Sequence, residues 1–297
     1  MKQDAAASML LGTGHDPSLL IDCSIPWTLT TAIGFPARTV QQPPTHNGSV
    51  RNSHVYNASM SNLAQISQPQ MRLALAILRR LEQEYGRPVW RVVRPPLDEL
   101  VITILSQHTS DVNCERAFEG LRQQFPTWED VANADELEIE RAIRSGGLAA
   151  TKAPRIKNVV TTVLAKNSLA GLDQLPLGEA KARLQSLPGV GPKTAACVLL
   201  FACKRPALPV DTHVHRVSRR IGLIEDSTNA ESAHEILESM LPAEDVYSFH
   251  VNVIAHGRRV CRAREPKCET CTVRDLCAYA AANPHKGNQH TGTVTDD

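Results

Sequence analysis

Residues 187–211 read LPGVGPKTAACVLLFACKRPALPVD, and the rest of the chain is organised around them. Gly189 and Gly191 bracket Val190 in a turn that calls for backbone angles most side chains disfavour. Pro192 follows at the position where proline suits a helix best, its first residue, so Lys193 lies one residue inside a helix N-terminus. Ala195, Ala196, Val198, Leu199, Leu200, Phe201 and Ala202 make that helix apolar nearly all round, the pattern of a helix buried on most sides. A helix over 192–203 rises about 18 Å, and the return loop from Lys204 to Val210 reaches about 23 Å when extended. The loop is therefore long enough to bring Asp211 back to the helix mouth, beside Lys193. Asp211 opens the run DTHVHRVSRRIG as a natural N-cap.

A lysine and a carboxylate so placed suit amine nucleophilic attack. Free lysine titrates near about 10.4, but the positive end of a helix dipole and shelter from water both favour the neutral amine. Such an amine can displace a leaving group at a sugar carbon and hold the product as a Schiff base. The glycine turn offers backbone N–H groups to a nucleic-acid phosphate. On these residues alone a plainer reading stands beside this one, in which Lys193 is a solvated helix-start residue and Asp211 only a cap.

LPGVGPKTA followed by VDTHVHRV resembles the helix-hairpin-helix and adjoining aspartate of the DNA glycosylase superfamily, in its endonuclease III branch, and the resemblance runs over roughly 71–283. It implies that Lys193 is the Schiff-base nucleophile and Asp211 the essential carboxylate, with Gly189 and Gly191 on the DNA. His213 resembles a pocket residue of the family. Ser106 to Asp111, SQHTSD, resembles a family segment whose serine and aspartate, here Ser106 and Asp111, line the damaged-base pocket. Between them an amide side chain fills the gap left by the flipped nucleotide, and here that place falls to His108, with Gln107 just before it. Read without the resemblance, Ser110 or Asp111 caps the next helix. Gly146, Gly147 and Leu148 form a turn like one that supplies an apolar wedge to the opposite strand, and an apolar wedge helps keep a base unstacked.

Eight cysteines are unevenly placed. Cys23, Cys114, Cys197 and Cys203 are scattered, as small apolar residues are. Cys261, Cys268, Cys271 and Cys277 form C-x6-C-x2-C-x5-C, and four thiolates so close in one loop imply a metal site. Structural zinc more often shows two C-x2-C knuckles, whereas only Cys268 and Cys271 form one. The spacing matches the iron–sulfur loop of the endonuclease III family throughout, so the resemblance implies a [4Fe-4S] cluster, with Arg262 and Arg264 on a phosphate-facing loop between the first two ligands. No secreted disulfide pattern is present, which points to a reducing, intracellular setting, in a bacterial source the cytoplasm or nucleoid.

Composition bounds the rest. The chain has 297 residues, 42% of them hydrophobic, enough for a proper core, and a net charge of +1 that gives no overall basic signature. Nucleic-acid affinity must then come from local patches, and basic residues cluster at 204–220 and 258–267. No apolar run is long enough to span a membrane. Residues 1–68 hold three basic and three acidic side chains and no sustained period, the character of a disordered extension. From Met71 onward the periodicity is helical, with helices expected at about 97–105, 111–124, 128–144, 151–165, 177–186, 192–203, 211–222, 229–240 and 245–257.

The expected fold is all-α, and the resemblance implies two lobes: a six-helix domain over 95–205 ending in the hairpin and a cluster domain from 71–94 and 206–280, with a flexible tail at 283–297. The expected activity is that of a bifunctional DNA glycosylase and abasic-site lyase, acting as a monomer on double-stranded DNA with damaged bases or abasic sites. A monofunctional mismatch glycosylase and a non-catalytic DNA-binding module are the alternatives.

Overall fold

The computed structural model describes residues 67–284, and nearly all of the extension and most of the tail lie outside the described residues. Among the described residues every α or β element is an α-helix: α1 Gln68–Tyr85, α2 Pro96–Leu105, α3 Asp111–Gln124, α4 Trp128–Asn133, α5 Glu136–Ala142, α6 Ala149–Lys166, α7 Leu177–Gln185, α8 Pro192–Cys197, α9 Thr212–Ile221, α10 Ala230–Ser239, α11 Val246–Arg259 and α12 Ala278–Ala282. The all-α expectation therefore holds. No described helix is long and apolar enough to cross a membrane.

The helices pack around two hydrophobic cores. One gathers apolar side chains of α2 to α8, among them Ile102, Leu105, Leu121, Ile139, Ile156 and Leu199. The other joins α1 to α9, α10 and α11 through residues such as Ile77, Leu81, Val217, Leu237 and Phe249. The hairpin helix belongs to both: Ala195, Ala196, Val198 and Leu199 face the first core, while Cys197, Leu200 and Phe201 face the second. That double duty is why the segment is apolar on every side, and each large side chain so buried is worth about 1.5–3 kcal/mol. α11 is the corresponding axis of the second core, buried from Val246 to Gly257.

Three local expectations need correction. The span 128–144 is not one helix but α4 and α5, because Thr127 and Asp135 each start a helix with a reciprocal capping box, to Asp130 and Glu138. The first helix begins at Gln68, before Met71, because Ser67 caps it in the same way through Gln70. The hairpin helix widens into a π-helical turn over Val198–Ala202, and the indole N–H of Trp90 takes up the carbonyl of Leu200 there at 2.8 Å. Trp90 is itself stacked on Tyr247, 5.6 Å between ring centroids, so the irregular turn is fixed from the second core.

Candidate active site and cysteine pocket

Lys193 is the second residue of α8 and half-buried. Gly189 takes a left-handed backbone, φ +74°, as the turn requires. Gly191 does not: it is extended, φ −92° and ψ 179°, and an added Cβ would meet nothing within 4 Å. The expectation of two conformationally obligatory glycines thus reduces to one, with Gly191 serving as the helix cap.

Asp211 caps α9, its Oδ1 accepting from the Val214 N–H at 2.7 Å. The return loop that delivers it is clamped by three side chains from two helices, α10 and α11. Leu208 donates its N–H to Glu238 Oε2 at 2.8 Å, and its carbonyl accepts from His234 Nδ1 at 2.8 Å. His250 Nδ1 donates to the carbonyl of Pro209 at 3.0 Å. Burial holds His234 neutral, its pKa pushed down to about 4, with Lys181, His250 and Lys193 adding positive charge nearby. A neutral imidazole whose Nδ1–H points at a carbonyl is a fixed strut. These histidines and Glu238 escaped the sequence reading, although His234 and Leu237 fall on one buried helix face.

His213 is half-buried on α9, its Nδ1 3.1 Å from Arg216 Nη2. Burial is the main cause of its lowered pKa, with Asp211 pulling the other way. α11 approaches α9 closely at this point, and a Cβ on Gly257 would stand 3.1 Å from His213 Cβ.

Ser106 follows α2, its hydroxyl donating to the Thr103 carbonyl at 2.9 Å. Ser110, not Asp111, caps α3, accepting from the Asn113 N–H. Asp111 is left to pair with Arg258 on α11, at 2.8 and 3.4 Å, across the two cores. Gln107 Oε1 accepts from Arg155 Nη1 at 3.2 Å, and the same guanidinium lies over Gly189, 3.5 Å from where a Cβ would be. His108 and Leu148 share an unusual feature: both have left-handed backbones, φ 55° and 49°, and both are exposed, Leu148 by 57%. Strain combined with an exposed apolar side chain marks a functional position more strongly than a Gly-Gly-Leu turn does on its own.

The basic clusters divide. Arg205, Arg216 and Arg220 spend their donors on backbone carbonyls, Arg205 on Leu172 and Asp173, Arg216 on Gly257 and Cys261, Arg220 on Arg262 and Ala263. They hold loops, which leaves fewer of their donors for phosphates. Arg262 and Arg264 remain exposed on the loop these side chains brace.

Cys261, Cys268, Cys271 and Cys277 line one pocket, together with Ile221, Val260, Val273 and Ala280. Among the described residues no group of three or more His, Cys, Asp or Glu side chains is arranged to hold a single metal ion. Four cysteines lining one pocket are nevertheless a donor set of the kind that a zinc ion or a [4Fe-4S] cluster takes. Arg220 Nη1 and His256 Nε2 each stand 3.5 Å from a sulfur, those of Cys261 and Cys271. Burial and neighbouring thiols push Cys271 up to about 11.

The fold and this arrangement define a class. Residues 101–243 match the model of the HhH-GPD superfamily base excision DNA repair proteins. A candidate DNA glycosylase of Arabidopsis thaliana is 38% identical over 165 residues, 54% of this chain and 56% of that one, so the chain spans little more than half the length of that relative. Endonuclease III of Thermotoga maritima is 36% identical over 185 residues, 62% of this chain and 83% of that one. A solved non-covalent endonuclease III–DNA complex superposes with a TM-score of 0.63 at 28% identity, over 74% of this chain and 99% of that one. The chain belongs to the endonuclease III family and is by that membership a DNA glycosylase.

Proposed function

We propose that this glycosylase is bifunctional, excising a damaged base, an oxidised pyrimidine, and then cutting the strand through Lys193. Two observations support the reading: a half-buried lysine opens α8, and a clamped loop delivers Asp211 to the cap of α9. The damaged nucleotide is flipped into the cleft between a six-helix lobe, 95–205, and a second lobe from 71–94 and 206–280. Ser106, Asp111 and His213 line it. Leu148 and His108, with Gln107 behind, enter the duplex, and Gly189, Gly191, Arg262 and Arg264 hold phosphates.

In the chemical step the neutral amine of Lys193 attacks C1′. The bond from C1′ to the base breaks and its electron pair leaves with the base, which takes up a proton. Opening of the sugar ring, with a proton to its oxygen, leaves an imine at Nζ. Loss of a C2′ proton then expels the 3′ phosphate by β-elimination. Asp211 helps deprotonate the amine and stabilises positive charge developing on the sugar.

A panel of duplexes with defined lesions tests this reading. Release of an oxidised pyrimidine together with a nick 3′ to the lesion is expected; base release with an unbroken strand would leave a monofunctional glycosylase. The four cysteines would hold a [4Fe-4S] cluster, a structural group that anchors the loop carrying Arg262 and Arg264. Protein prepared without air is expected to be yellow-brown with about four iron atoms and matching labile sulfide per chain, and stoichiometric zinc in place of iron would overturn the assignment.

A further inference from the structure

Lysine is among the residues least often buried, yet Lys152, in the first turn of α6, is 2% exposed. Its Nζ donates to the carbonyl of Leu105 at 2.7 Å and to that of Gly146 at 2.8 Å. Both carbonyls close a helical segment: Leu105 ends α2, and Gly146 ends a 3₁₀ turn at 144–146. Carbonyls at such ends lack an N–H of their own helix, and a buried cation is a fitting partner at the negative end of the helix dipole. An ammonium has three donors, so one side chain can serve two segments at once.

Immediately beyond each carbonyl the chain enters a left-handed residue, His108 three positions after Leu105 and Leu148 two after Gly146. For residues with a Cβ that conformation costs about 1–2 kcal/mol each, and it persists only where the surroundings over-determine it. Around Gly146 they do, since a Cβ there would come within 3.0 Å of Ala117 Cβ. One buried ammonium therefore joins the supports of the two exposed, strained side chains.

We propose that Lys152 is a positioning residue whose ammonium pins the His108 turn and the Leu148 turn in one register, so that the two side chains enter the duplex as a unit. The inference rests on the reading of His108 and Leu148 as the duplex-facing pair. The sequence carries the signal, because Lys152 falls on the same helical face as Ile156, Val159 and Val163, where an apolar residue is the rule.

The test uses the full chain and a duplex in which 2-aminopurine stands opposite a tetrahydrofuran abasic analogue, so that fluorescence rises when a side chain displaces the stacked base. Wild type is expected to give the rise; its absence there would remove the duplex-facing reading, and the proposal with it. Lys152→Met is expected to lose the rise and to slow borohydride trapping on duplex abasic DNA by about 10- to 100-fold, the scale set by small misplacements of positioning groups. Trapping on single-stranded abasic DNA, where no base must be displaced, stays near the wild-type rate. In a Leu148→Ala background the Lys152 change adds little, because the two act through one step. A wild-type rise in Lys152→Met, equal slowing on single and double strands, or fully additive losses would each overturn the proposal. Should Lys152→Met not fold, Lys152→Gln, which keeps a donor for one carbonyl, is judged by the same three outcomes.

Discussion

Asp211→Asn is expected to melt within a few degrees of wild type and to lose base excision by about 10²–10³-fold, the cost of removing one preorganised charge from a transition state. Stability survives because the cap bond uses a side-chain oxygen, Oδ1, at 2.7 Å from the Val214 N–H, and asparagine offers the same acceptor with nearly the same capping strength. The return loop is held independently by His234, His250 and Glu238, so the backbone at 211 has no reason to move. What changes is charge alone. Full excision by the variant, measured as single-turnover base release, would reduce Asp211 to a cap.

Lys193→Gln is expected to abolish strand cleavage, by about 10³-fold or more as befits loss of a covalent nucleophile, while duplex binding and fold persist. Glutamine has nearly the helix propensity of lysine, and the site is at a half-buried helix mouth rather than in either core. Near-complete loss of binding in step with activity would instead assign Lys193 to holding DNA.

Much of this architecture could be read from the chain because the signals are local. Pro192 after a glycine turn, an apolar run with no polar face, and Asp211 before DTHV locate two helix starts, and the structure has both. The helix over 111–124 appears with its expected ends, since Ser110 is a strong cap. α4 and α5 read as one helix in the sequence because their capping boxes sit inside a continuous hydrophobic period, which masks a break. Three-dimensional commitments stayed hidden for a different reason. Nothing in the sequence says that Arg216 and Arg220 face carbonyls while Arg262 and Arg264 face water, since charge counts alike in both. Nor does spacing reveal that Asp111 pairs with Arg258, 147 residues away. The strain at His108 and Leu148 is likewise a property of backbone angles that those residue types do not announce.

The claim on which the rest depends is that Lys193 forms the imine, and reduction with borohydride during reaction on abasic DNA tests it most directly. The account predicts a covalent protein–DNA adduct from the wild-type chain, with the modified peptide mapping to Lys193, and no adduct from Lys193→Gln. Robust trapping by Lys193→Gln, or an adduct mapped to another amine in the wild type, would contradict it.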